Sequence, residues 1–196
     1  MRPTIFLTDK LLKDKIITKE QAEIAQYGFQ NLESSLLGVT IILIISGFFD
    51  CISEGIILCI FFFPLRRNAG GFHAETRINC FIVSTIIVTL GFLWFKKIEW
   101  FWWHYTITSL FLGAIIFFMS PIENTNKHLD AVENKIYRQR TILILAVESI
   151  AFVLAILMNW ENLCKVVIIA YFIVDVSLIA GKIKLRMCKK ENLVET

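Results

Sequence analysis

The chain has 196 residues, 56% of them hydrophobic and only 19% charged, with a formal net charge of +3. That balance falls outside the range of an ordinary soluble domain and excludes a nucleic-acid binder built on a strongly basic surface. Seventeen Phe and five Trp against nine Gly and three Pro argue against the alternating pattern of an outer-membrane barrel, so the predicted fold class is all-α, a polytopic helical membrane bundle.

Residues 1–35 are polar, yet Leu7, Leu11, Leu12 and Ile16, then Ile24, Tyr27 and Leu32, recur at helical spacing. The pattern predicts an N-terminal amphipathic helix, either lying on the membrane surface or packed in the ordinary way, with Thr18 and Gln21 as a capping box. The start carries charges throughout and lacks the continuous apolar core of a cleavable signal peptide. Six apolar segments follow, at 36–49, 52–64, 78–95, 101–119, 141–158 and 162–180. The last four approach the ~20 residues that cross a bilayer core, whereas the first two are short. Either the first borrows the turn Leu32 to Ser35, or the pair forms a re-entrant hairpin broken at Asp50, Ser53 and Glu54. A basic tail from 181 completes one membrane-embedded domain whose bundle is 36–180.

Lys and Arg set the orientation. With the N-terminus, the loop at 65–77, the loop at 120–140 and the tail on one side, only Lys96, Lys97 and Lys165 of the 20 basic residues fall on the other. The positive-inside rule places the basic side in the cytoplasm, in a cell membrane crossed several times. Trp94, Trp100, Trp102, Trp103 and Trp160 gather near the opposite turns, as interfacial anchors do. Anionic lipid is the expected partner of the tail Lys182, Lys184, Arg186, Lys189 and Lys190, where Cys188 is a candidate for acylation.

One polar island interrupts the apolar segments: Arg66-Arg67-Asn68-Ala69-Gly70-Gly71-Phe72-His73-Ala74-Glu75-Thr76-Arg77-Ile78-Asn79-Cys80. Five cysteines, Cys51, Cys59, Cys80, Cys164 and Cys188, show no C-x-x-C spacing, so no zinc site or disulfide framework is indicated and no cofactor or metal is expected. Cys80 alone has a His close by. His73 and Cys80 are seven residues apart, ~10.5 Å along a straight helix, too far for an imidazole-to-thiol hydrogen bond unless the chain bends. Gly70 and Gly71 permit that bend and Thr76 is a plausible N-cap, so 66–76 reads as a folded-back loop and Cys80 as a first-turn residue of the next helix. A thiol there feels the positive end of the helix dipole, and the free N–H groups of that turn suit an oxyanion. Glu75, Asn79 and Asp130 are candidates to orient His73.

The run Arg66-Arg67-x-x-Gly70-Gly71-x-His73-Ala74, with Cys80 seven after the His in a chain near 200 residues with about six hydrophobic segments, resembles the accessory gene regulator B (AgrB) family. The resemblance covers the whole chain in layout and residues 66–80 in motif. It implies a membrane cysteine endopeptidase that processes an autoinducing-peptide precursor, AgrD, for quorum sensing, with His73 and Cys80 catalytic and with Arg66 and Gly71 needed for activity. The implied precursor has an amphipathic N-terminal helix and an acidic C-terminal part. Arg66, Arg67, Arg77, Arg138 or Arg140 would pair with that part, and a second copy of so small a bundle is a further expected partner.

Glu148 and Asp175 interrupt apolar segments, where an ionisable group is costly. Either they are neutral or bonded to Ser or Thr of another helix, or they line a peptide path. They carry the alternative reading, a small transporter or channel in which His73 and Cys80 are incidental; a non-catalytic membrane scaffold is a third.

Overall fold

The computed structural model describes residues 3–72, 77–97, 101–122 and 130–194. Seven helices lie among them: α1 (Pro3–Lys13), α2 (Lys19–Phe48), α3 (Ile52–Ala69), α4 (Arg77–Lys97), α5 (Trp102–Met119), α6 (Ala131–Leu157) and α7 (Glu161–Val194). The fold is therefore all-helical. Four of these helices contain stretches long and apolar enough to cross a membrane, at Ile24–Phe48, Trp102–Met119, Ala131–Leu157 and Glu161–Met187. The protein is accordingly a multi-pass membrane protein.

Residues 1–41 form one compact unit. In it α1 ends because Lys15 takes φ +55, letting its N–H reach Leu12 O at 3.1 Å and the N–H of Ile16 reach Leu11 O at 3.0 Å. That pair of bonds is a Schellman motif. The capping box opens α2: Thr18 N–H donates to Gln21 Oε1 at 3.0 Å and Gln21 N–H donates to Thr18 Oγ1 at 3.3 Å. Helix α2 then runs 30 residues without interruption through Leu32–Ser35. The apolar segment at 36–49 thus has a longer helix to draw on than its own length suggests.

The second unit comprises residues 42–196. Two of its helix ends repeat the device that ends α1. Asp50 (φ +54) closes α2, with Asp50 N–H on Gly47 O at 3.2 Å and Cys51 N–H on Ser46 O at 2.9 Å. Asn159 (φ +56) closes α6, with its N–H on Ile156 O at 3.1 Å and Trp160 N–H on Ala155 O at 2.8 Å. Asp and Asn tolerate this left-handed conformation better than most side chains, which is why a break falls at each. Contacts gather these turns at one end of the unit. Asn162 Nδ2 donates to Glu54 Oε1 at 2.9 Å, the Phe49 and Phe92 rings stack at 6.2 Å, and Lys165 Nζ lies 5.6 Å from the Phe95 ring centre. Burial pushes the Cys51 thiol up, with the neighbouring Lys96 pulling the other way. Trp102, Trp103 and Trp160 are exposed at the same end.

Helix α7 is the centre of this unit. Every residue from Val166 to Tyr171 is buried, the signature of a helix that is apolar all round. It packs chiefly on α3 and α5 and also on α6 and α4. Leu65 and Ala69, Leu112 and Ile116, and Phe152 and Ala155 meet Val167, Tyr171, Val174 and Leu178 in one core. Phe81, Ile86, Phe111, Phe118, Leu143 and Val153 point outward, as side chains against lipid do.

Three boundaries differ from the sequence-based expectation. Helix α3 includes Arg66–Ala69, which the sequence pattern places in the loop: two arginines in the last turn complement the negative end of the helix dipole, and Asn68 Nδ2 donates to the Pro64 carbonyl at 2.8 Å. Helix α6 begins at Ala131, ten residues before its apolar segment. Asp130 is its N-cap residue in extended backbone, its carbonyl accepts the first helical bond from Asn134 at 2.8 Å, and Glu133 sits in the first turn. Helix α7 continues to Val194, so the basic residues after 181 extend a helix.

Candidate functional site

The island opens on Arg66, whose guanidinium turns back along its own chain. It donates to the carbonyl of Gly70 and, at 2.6 Å, to the carbonyl of Phe72. The Gly70 carbonyl at the end of α3 has no partner within the helix, and a fork of charged donors suits it and the Phe72 carbonyl of the following turn at once. Between them the backbone turns sharply. Gly70 sits at φ 76, ψ −150, a region open essentially to glycine alone, and Gly71 follows at φ +113.

Two further elements hold this turn. The N–H of Ile122 donates to Ala69 O at 3.0 Å, and Gly70 and Ile122 pair in a short parallel bridge. The N–H of Phe72 donates to Ser177 O of α7 at 2.8 Å. Contact is too close for side chains: a Cβ on Gly71 would lie 2.8 Å from Ser177 O, and one on Gly181 would lie 2.7 Å from Phe72 N. Lys184 Nζ stands 5.5 Å from the Phe72 ring centre, one helical turn beyond Gly181. Arg138 of α6 supports the other side, donating to the Ser120 carbonyl with its guanidinium 5.1 Å from the Phe117 ring centre. Basic side chains therefore collect at this end, while Lys96 and Lys165 belong to the opposite one.

Not every residue singled out from the sequence is described. His73, Glu75 and the proposed cap Thr76 lie outside the described residues. The backbone of Cys80 falls in the first turn of α4, the position expected for it, and its side chain is likewise outside the described part. Asn79 is exposed on the same turn. Asp130 serves as the N-cap of α6. Arg67 is exposed, unlike the engaged Arg66. Cys51, Cys59 and Cys164 are free thiols. Among the described residues no three His, Cys, Asp or Glu side chains gather as a metal site needs. Glu148 is 5% exposed and Asp175 3%, and Glu148 Oε2 and both Asp175 oxygens have no hydrogen-bond partner among the described residues.

Ser177, Gly181, Ile122 and Ser120 escaped the sequence reading. Three of them act through backbone atoms, which leave no chemical signature in a side chain. Gly181 alone carried a signal, a glycine inside a helical run where glycine costs about 1 kcal/mol relative to Ala.

The model of the accessory gene regulator B family matches residues 6–179. A Clostridium perfringens (strain SM101 / Type A) protein described as AgrB-like is 27% identical over 140 residues, covering 64% of this chain and 64% of the relative. A second AgrB-like protein, from Clostridium perfringens (strain 13 / Type A), is 26% identical over 144 residues with the same coverage of both chains. The chain thus spans just under two thirds of the length of these relatives. No solved structure matches. A family match over most of the chain, together with the Arg-Arg-x-x-Gly-Gly-x-His island and its Cys, leads to one assignment: the chain belongs to the accessory gene regulator B family.

Proposed function

We propose that this chain is a membrane cysteine endopeptidase that cleaves an AgrD-like autoinducing-peptide precursor and closes its N-terminal product into a thiolactone or lactone for quorum sensing. The observation that carries the reading is the braced turn Gly70–Phe72, from which His73 is the next residue and which leads into the helix whose first turn holds Cys80. A turn held by two backbone bonds from other elements and two bonds from the Arg66 guanidinium gives the reactive stretch a fixed origin, the condition for productive geometry.

The chemistry follows from the residue types. Attack of the Cys80 thiolate on a precursor carbonyl forms a C–S bond; the peptide C–N bond breaks, and His73 hands its proton to the departing amine. The free N–H groups of the first turn of α4 face the oxyanion formed on the way. The precursor's own Cys thiol then attacks the acyl-enzyme thioester, forming the ring thioester and returning Cys80 as a thiol. One thioester replaces another, so no ATP is required; a Ser in that place gives the lactone. Arg67 and Arg140, both exposed, pair with the acidic part of the precursor, and Arg66 supports the loop instead. The basic end faces the cytoplasm, with N- and C-termini on that side.

A second reading rests on Glu148 and Asp175, buried in membrane-spanning helices with Glu148 Oε2 and both Asp175 oxygens lacking a hydrogen-bond partner among the described residues, which would suit a small transporter or channel. One experiment separates the two. The chain is reconstituted in liposomes with the candidate precursor, and cleaved tail and cyclic product are followed by mass. Cys80→Ala and His73→Ala are expected to abolish both products, a loss of about 10⁴-fold or more, while Glu148→Gln and Asp175→Asn leave them within severalfold. Undiminished processing by Cys80→Ala, or loss confined to the carboxylate variants, would overturn the peptidase reading.

A further inference from the structure

Gly181 lies well inside the 34-residue helix α7, where an alanine would favour the helix. The atoms that a Cβ there would meet are all backbone: Phe72 N at 2.7 Å, Gly71 C at 2.8 Å and Gly71 Cα at 2.9 Å. A flexible side chain could swing aside at such distances, but a main chain must move as a whole. Ser177, four residues earlier on the same face of α7, accepts the Phe72 N–H at 2.8 Å, and Lys184, three residues later, lies by the Phe72 ring. One stripe of α7 thus carries the main chain of residues 71–72, and Phe72 is bonded directly to His73.

We infer that Gly181 is a positioning residue, a notch in α7 that sets where the His73 backbone begins relative to the first turn of α4. The inference rests on the peptidase reading given above. It acts through Phe72 and touches no reacting atom. The shift needed to admit a methyl group is several tenths of an ångström to 1 Å, and misplacement of that size costs on the order of 10²-fold in rate. Gly113 of α5 supplies the contrast: a Cβ there would meet only a Tyr171 ring carbon at 3.8 Å, an ordinary contact.

The test uses the full chain in lipid nanodiscs, comparing the unsubstituted protein with Gly181→Ala and with Gly113→Ala. Two quantities are measured: hydrogen exchange of the peptide containing Phe72, and the rate of iodoacetamide alkylation of Cys80 against pH, read by peptide mass and referred to the denatured chain. Gly181→Ala is expected to raise Phe72 exchange at least tenfold and to move the Cys80 profile toward that of the denatured chain, with Gly113→Ala doing neither. Unchanged exchange overturns the notch. Faster exchange with an unmoved Cys80 profile overturns the positioning role, because loosening of a merely structural contact does not alter a thiol's pH profile. Equal shifts in both glycine variants overturn it too. A Cys80 profile already matching the denatured chain in the unsubstituted protein sinks the peptidase reading itself, and is distinguishable because no substitution is needed to see it. Should Gly181→Ala fail to insert, Lys184→Met removes the cation beside the Phe72 ring on the same stripe and is expected to move the same profile by a smaller amount; no movement there overturns the proposal.

Discussion

The two ends of the 42–196 unit stop their helices in opposite ways. At the end holding Cys51 and Lys96, α2 and α6 finish in local motifs: Asp50 and Asn159 turn left-handed and the chain satisfies its own last carbonyls within six residues. At the other end α3 finishes in a turn that its own helix does not complete. It takes Ile122 from the α5–α6 connection, Ser177 and Gly181 from α7, and the Arg66 fork to hold Gly70–Phe72. A local ending needs one tolerant residue, whereas a long-range ending needs several elements in register. The second arrangement suits a segment whose position matters for chemistry.

The sharpest way to break this contrast is at Arg66. Arg66→Ala removes both charge-assisted bonds to the turn and leaves two carbonyls short of donors. Precursor processing is expected to fall by about 10²-fold, expressed in kcat rather than KM. Loss expressed mainly as a raised KM would instead make Arg66 a substrate contact. Gly70→Ala comes next. At φ 76, ψ −150 an alanine is strained by about 1–3 kcal/mol, and its methyl meets the Ile122 carbonyl besides. The 0.4–1 kcal/mol that alanine gains by restricting the unfolded chain does not offset this, so roughly 2 kcal/mol of lost stability is expected in detergent unfolding. A smaller effect belongs to Arg67→Ala: an exposed charge of this kind contributes below about 1 kcal/mol. A severalfold rise in KM is expected, with a flatter dependence of KM on salt, and an unchanged salt dependence would remove Arg67 from precursor binding.

The fold was readable where periodicity and single residues decide it. Each of the six apolar segments lies within a helix to within one residue at its ends, the Thr18–Gln21 box forms, and Cys80 lies in a first helical turn, because each depends on neighbours within a few positions. Helix ends were less readable. Polar residues at 19–35, 131–140 and 182–194 continue helices whose apolar parts alone showed in the sequence, since helix propensity and capping extend a helix beyond the stretch that is hydrophobic. Arg66 looked like a substrate-binding cation because a sequence displays its charge and hides the two carbonyls it meets. The seat on Ser177 and Gly181 joins residues more than a hundred positions apart through main-chain atoms, and no pattern of side chains announces that.

The smallest expected effect tests the local end of the comparison. Asn159 holds φ +56 to close α6. Left-handed backbone costs an ordinary side chain about 1–2 kcal/mol and asparagine less, so Asn159→Gly relieves well under 1 kcal/mol of strain. Glycine also frees the unfolded chain, a loss of about 0.4–1 kcal/mol of stability. The two terms nearly cancel, and a net change within about 0.5 kcal/mol is expected in the unfolding midpoint, with processing unaltered. The same exchange of side chain for hydrogen, run in reverse at Gly70, is expected to cost several times more. If Asn159→Gly changed stability as much as Gly70→Ala, then the α6–α7 turn would also depend on distant elements, and the difference between the two ends would vanish.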